Sequence, residues 1–142
     1  YKTIPLPIEL SELSSWAKPM PTAKALADSF CAAVHVMTVV LEVAIKHGAY
    51  FPPDIETTIV AGATSALPGT VNAELADYKV TSHVVIGRTF RQIVSAKKKL
   101  DADLIVMPSH RPELINRLIG PTADMAQRNT TVSVLIVRDY SE

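Results

Sequence analysis

The chain has 142 residues, 48% of them hydrophobic, and its 14 Lys and Arg balance 14 Asp and Glu to a formal net charge of zero. That length suits one ordinary domain with a real core, and a neutral balance disfavours nucleic acid, whose phosphates demand clustered excess base. A single cysteine excludes an internal disulfide framework or a cysteine-built zinc cage, and the short, interrupted apolar runs show no membrane span or signal peptide, so we expect one soluble, cytoplasmic domain over residues 1–142.

The first segment, Thr3 to Ile8, is short and apolar, as a buried strand is. Pro5 and Pro7 cannot donate to a ladder, so pairing should weaken at Pro5 and the strand should end near Pro7. Ser11 and Glu12 open a candidate helix towards Phe30, with Leu13, Trp16, Ala23 and Leu26 as core positions. Pro19 and Pro21 should kink or split it near Lys18. Cys31, among Ala, Phe and Val, reads as a buried structural thiol. Val34 to Val40 is rich in β-branched residues and reads as the second strand.

The stretch from 41 to 79 is the least regular. Leu41 to Ala49 suits a helix and Tyr50-Phe51-Pro52-Pro53 a break. Ile55 to Ala66 mixes β-branched residues with Ala and Gly, and Pro68-Gly69 signals a turn. A short helix from Val71 to Tyr78 follows, which is thin cover for a sheet face.

From residue 80 the pattern is regular. Val80 to Ile86 is a strand with Gly87 as its exit, and Arg88 to Leu100 an amphipathic helix marked by Phe90, Ile93, Val94 and Lys97. Lys97-Lys98-Lys99, the only basic run, reads as its solvated end. Asp103 to Met107 is a strand, Pro108 to Pro112 a loop, and Leu114 to Ile119 a turn or short helix. A final helix runs from Gly120-Pro121-Thr122 to Arg128, and Val132 to Val137 is the last strand. Strands alternating with helices argue for a parallel sheet covered on both faces, the doubly wound α/β class. Over its last four positions the final strand shows no polar alternation, which implies burial on both faces.

In an open parallel sheet, ligands bind at the carboxyl ends of the strands. Those ends are Pro7-Ile8-Glu9, Val39-Val40 and Met107 to Pro112, with the helix start Gly120-Pro121-Thr122 facing them. Proline at the first helical position loses only a donor the helix leaves unpaired, and the amides of Thr122 and Ala123 remain for an anion. Elsewhere the residues read as structural. His35 and His83 fall in strands as packed or edge residues, and Asp101 and Asp103 flank a strand start, where they cap or are solvated rather than ligate metal. Ser109 and His110 are neighbours with no marked acid partner, so no Ser-His-Asp set is assigned. There is no Walker loop and no GxGxxG. No catalytic or metal set emerges.

Several segments together resemble one family. Tyr1-Lys2-Thr3-Ile4 through Pro7-Ile8-Glu9-Leu10-Ser11-Glu12 looks like the opening YKxILVPVDGSE of the universal stress protein family. Ala102 to Met107 with Ser109-His110, then Leu118-Ile119-Gly120, then Val134 to Arg138 are similar to its ADLIVMGSHG, LLGS and PVLVVR. The Ser109-His110-Arg111-Pro112 variant resembles the small enterobacterial branch. The match is specific over 80–138, fair over 1–40 and absent over 41–79.

The resemblance implies a five-stranded parallel sheet of order 3-2-1-4-5 and a homodimer. That order puts the apolar last strand at the sheet edge, where uncovered pairing groups are a hazard, so we expect the dimer to form through it. It also implies an adenine nucleotide, ATP or AMP, with or without Mg and with no covalent cofactor. The family's phosphate loop has the pattern G-x2-G-x9-G-[ST]. Its first glycine falls on Pro108 and its second on Arg111. The third is kept as Gly120, with Pro121 where Ser or Thr is usual and Thr122 one residue later. Pro7 and Glu9 would lie at the adenine, and Val39 would flank the base.

The departures matter physically. Glycine lets an amide approach a phosphate closely, whereas Pro108 and Pro121 have no amide hydrogen. Each missing charge-assisted bond costs roughly 1.5–3 kcal/mol of binding. Arg111 offsets this if its guanidinium grips phosphate in a bidentate manner, while Asp124 would repel a phosphate. The expected function is a nucleotide-binding stress-response protein acting as a dimer, with any hydrolysis slow and incidental. The alternative is an interaction or regulatory protein that keeps the fold and dimer with a degenerate phosphate loop.

Overall fold

The computed structural model describes residues 1–41, 54–109 and 119–138. The expected helix over 41–49 (beyond Leu41), the break at Tyr50 to Pro53, and the turn at 114–119 (before Ile119) lie outside the described residues. So do His110 and Arg111.

Two prolines decide how the sheet is wired. Strand β1, Thr3–Ile8, pairs in parallel with β2, Ala33–Leu41, and that ladder runs past Pro5 and Pro7 to Ile8. The Ala33 amide donates to the Lys2 carbonyl at 2.9 Å, and the Asp103 amide donates to the Thr3 carbonyl at 3.2 Å. Successive strand residues turn their polar groups to opposite sides, so even-numbered residues face β2 and positions 3, 5 and 7 face the strand that follows Asp103. Both prolines therefore lack their hydrogens on the same side. The pairing that weakens is the one with β4, Leu104–Pro108, not the one with β2. Hydrogen-bonded order is accordingly β1-β2-β3 in one sheet, with β3 at Val80–Gly87, and β4-β5 in another, with β5 at Ser133–Val137. All three ladders are parallel, and β1 lies beside β4. The result is an α/β fold consistent with the expected order 3-2-1-4-5.

Helix α1 spans Pro19–Phe30, so the expected helix from Ser11 does split at Lys18. Its first part is only a 3-10 turn, Leu13–Ser15, because Pro19 and Pro21 have no hydrogens to continue the ladder. Leu13 consequently stands 62% exposed rather than in the core, while Ala23 is fully buried and Leu26 and Trp16 pack against the core. The helix ends on Cys31 in the left-handed region (φ 53°), whose amide returns to the Ala27 carbonyl. A residue in that turn projects from the helix end, and Cys31 is exposed rather than buried.

The larger correction is α2. Pro68-Gly69 forms no turn: one helix runs Ile55–Leu75 and contains Pro68. Leu67, Val71 and Leu75 are buried at a four-residue spacing, and each contributes about 1.5–3 kcal/mol. Together they outweigh the roughly 3 kcal/mol of an interior proline, whose ring and the Thr64 it fails to bond lie on the exposed side. The thin crossover element is in fact long.

Helices α3, Thr89–Leu100, and α4, Pro121–Asn129, complete the layers. On one face Ile4, Leu6, Val34, Val36, Leu104 and Val106 meet α1 and α2. On the other, Ile105 and Met107 meet Ile93 of α3 and Ala123 and Ala126 of α4. β4 thus serves both cores, as a central strand should. β5 does so only in part: Val134 and Ile136 pack on the second core and Val137 against the first, but Leu135 is 37% exposed, so burial on both faces is not met along the strand within one chain.

Candidate functional site: a cleft at the strand ends

The carboxyl ends of β1, β2 and β4 and the start of α4 surround a cleft of about 390 Å³. Of the residues expected there, Pro7 and Glu9 come from the end of β1 and Val39 from β2. Pro108 and Ser109 come from the end of β4, and Gly120, Pro121 and Thr122 from the entry to α4. His110 and Arg111 belong to the segment outside the described residues.

Each wall has a local cause. After β1 the chain is braced by Ser15, a residue missed in the sequence. Its hydroxyl accepts the Glu9 amide at 2.8 Å and donates to the Glu9 carbonyl at 3.0 Å. That carbonyl also takes the Glu12 amide at 3.0 Å, and the Glu12 carbonyl takes the Ser15 amide at 3.0 Å. The turn places Glu9 and Glu12 on the cleft, the second also unforeseen. The signal was present, a Ser seven residues after a strand end, but serine hydroxyls brace turns in many settings. Thr89 and Ile93 of α3, with Ile8, Leu41 and Met107, supply most of the remaining wall. Ile8 and Met107 belong to the strand ends read from the sequence; Thr89, Ile93 and Leu41 were missed, the first two because the crossing of α3 over the cleft is a tertiary fact.

The phosphate side differs from the expectation in three ways. The Ser109 amide is engaged by the Val137 carbonyl at 2.9 Å, continuing the β4–β5 ladder, and the Gly120 amide by the Ser109 carbonyl at 2.5 Å. With Pro108 and Pro121 lacking hydrogens, four loop positions offer no amide to the cleft. Second, the interval from Arg111 to Gly120 holds eight residues, 112–119, one fewer than the x9 spacing. Third, Asp124 is not an opposing charge on its own: its Oδ1 accepts Arg128 Nε at 2.8 Å and Gln127 Nε2 at 3.3 Å. The Arg128 guanidinium, with Gln127 beside it, holds the Asp124 carboxyl below the usual carboxylate range.

What remains is the helix terminus. Gly120 is the N-cap with extended backbone (ψ 159°), Pro121 is the first helical residue, and the Asp124 amide makes the first intrahelical bond, to the Gly120 carbonyl at 3.0 Å. The amides of Thr122 and Ala123 precede that bond and have no intrahelical acceptor. Both residues line the cleft, where the positive end of the helix dipole favours an anion. Among the described residues no group of three or more His, Cys, Asp or Glu is arranged to hold a metal ion, and no helix is long and apolar enough to cross a membrane.

The family model for the universal stress protein family matches residues 1–138, and the chain belongs to that family. It is 27% identical over 141 residues to universal stress protein G of Salmonella typhimurium, covering 97% of this chain and 99% of that protein. The protein of the same name from Escherichia coli O157:H7 is 26% identical over the same shares. Among solved structures, hypothetical protein MJ0577 superposes with a TM-score of 0.83 at 23% identity, covering 100% of this chain and 99% of that one. A universal stress protein in complex with cAMP superposes at 0.67 with 22% identity over 97% of each chain. At these identities the structural likenesses carry the fold.

Proposed function

We propose that this member of the universal stress protein family binds an adenine nucleotide, ATP or AMP, in the cleft and acts in the cytoplasm as a dimer. One observation carries the reading. Eight described positions expected to contact base and phosphate line a single cleft, whose far wall is the α4 terminus with its two outward amides. The cAMP held by a relative of the same fold supports the ligand class. Those two amides and the Thr122 hydroxyl form a place for one phosphate group, and further phosphates would depend on Arg111 and its neighbours.

Calorimetric titration with ATP and Mg, AMP and adenosine tests this. Both nucleotides should bind more tightly than adenosine. Neither heat nor a thermal shift at millimolar nucleotide would reject the site. The second reading, an interaction protein of the same fold without ligand, is favoured by the four loop positions that present no amide. Mass spectrometry of small molecules released from the denatured protein separates the two, since only the first predicts co-purified nucleotide.

A further inference from the structure

Two histidines with no part in the cleft meet on the sheet. His35 of β2 and His83 of β3 sit two residues apart in register, His35 opposite Thr81 and His83 opposite Met37. They alternate with Val34, Val36 and Val84, which pack towards α1 and α2, so both rings lie on the face that α3 crosses. His35 Nδ1 is 2.9 Å from His83 Nε2, with ring planes inclined by 21° and centroids 5.2 Å apart. Nearly parallel rings whose centres are much farther apart than these nitrogens lie edge to edge, lone pair towards lone pair. One proton fits in that line. A metal ion does not, because facing imidazoles on a single ion stand about 4 Å apart, twice a metal–nitrogen bond.

We propose that the His35–His83 pair is a proton-operated latch between β2 and the edge strand β3, closed while one proton bridges the nitrogens and opened when both rings are protonated. Its placement gives it leverage, since β3 ends the β1-β2-β3 order and β2 is the strand it is hydrogen-bonded to. Among the described residues, the surroundings oppose a second proton. Lys79, at the entry to β3, acts on His35 as a cation. α3 carries only cations, Arg91 and Lys97 to Lys99, and β1 offers Thr3 and Pro5 on this face. The acids of α1 and α2, Asp28, Glu56 and Glu74, belong to helices on the opposite face. Burial, then His83, then Lys79 hold His35 below its ordinary 6.5, and burial does the same for His83. The unfolded chain therefore binds more protons than the folded one in mild acid. The latch's stabilisation is complete above pH 6.5 and is lost as pH falls from there through the lowered folded values.

The test is hydrogen exchange of the full chain at about pH 7.5 and about pH 5, corrected for intrinsic rates, with side-chain NMR titration of the histidine rings. Protection of the β3 amides should fall about tenfold more than that of β5 in acid, and His83→Gln, which keeps a neutral bonding group at every pH, should abolish the difference. The His35 midpoint should lie below 6.5 in the wild type and rise in His83→Gln. A uniform change across both sheets, a variant as acid-sensitive as the wild type, or an unmoved His35 midpoint would each overturn the latch. If the variant does not fold, the wild-type titration decides alone: linked rings must titrate in separated steps, and two ordinary, independent midpoints would reject the pairing.

Discussion

Thr3 and Asp103 hold each other twice: the Asp103 amide donates to the Thr3 carbonyl at 3.2 Å, and the Thr3 amide donates to Asp103 Oδ1 at 3.1 Å. The second carboxylate oxygen takes the Lys2 amide at 2.8 Å. This clasp sits where β1 and β4 first come together, just before the two prolines remove the backbone donors between them. It fixes a register that the ladder cannot. A slip of one residue would exchange Leu104 and Val106 with Ile105 and Met107 between the two cores.

Removing the clasp should therefore cost stability out of proportion to its surface position. Asp103→Ala leaves two amides without a charged acceptor, and a loss of about 1–3 kcal/mol is expected. In urea the unfolding midpoint should fall with an unchanged slope. Asp103→Asn should lie between, because its amide keeps one acceptor oxygen and turns a donor towards the other N–H. A midpoint unmoved in Asp103→Ala would mean that water replaces the carboxylate in full.

How much of this was legible in the sequence depended on whether the deciding interaction was local. β2, β3, α3 and β4 were read within a residue or so of their ends, because period and β-branching act over a few neighbours. α2 was not, since Pro68 is a strong local breaker and its compensation, three buried residues against the sheet, is tertiary. Cys31 misled for a similar reason: its apolar neighbours describe the helix, whereas its exposure follows from the left-handed turn at the helix end. At the cleft the strand ends and helix start could be placed by rule, but not which amides the β4–β5 ladder would engage. That required knowing that Pro108 lies opposite Val137.

Gly87 makes the second prediction. It closes β3 at φ 142°, a region L side chains rarely adopt, and a Cβ there would stand 2.6 Å from Gln92 Nε2, which donates to the Ile86 carbonyl at 3.0 Å. Gly87→Ala should destabilise by about 1–3 kcal/mol from backbone strain. Adding Gln92→Ala removes the steric contact but not the strain, so it should recover only part of the loss. Full recovery in thermal unfolding would assign the whole effect to the side-chain contact.

The third prediction concerns the proposed phosphate position. Pro121→Ser adds the amide hydrogen that the first helical residue lacks, next to the amides of Thr122 and Ala123. One further bond to a charged ligand is worth roughly 1.5–3 kcal/mol, so AMP and ATP should bind about tenfold or more tightly, with adenosine unchanged. Arg111→Ala should do the reverse, weakening ATP more than adenosine, with the wild-type preference shrinking as salt rises. Equal shifts for adenosine and nucleotide would place neither residue at phosphate.

The last prediction is the assembly. β5 ends the β4-β5 order, so one side of its backbone has no hydrogen-bonded strand among the described residues. Val134 and Ile136 are held by the second core, while Leu135 projects outward with 37% of its surface exposed. An apolar edge of this kind is a pairing hazard unless covered. A two-fold axis covers it in the simplest way: β5 pairs antiparallel with its copy, each chain presenting the same patch, and Leu135 is buried at the contact. Leu135→Lys places like charges across that axis and should give a monomer without loss of fold, because the residue is not part of either core within the chain. Sedimentation at micromolar concentration should show a wild-type dimer and a variant monomer. A wild-type monomer, or a dimer indifferent to the lysine, would remove β5 from the interface.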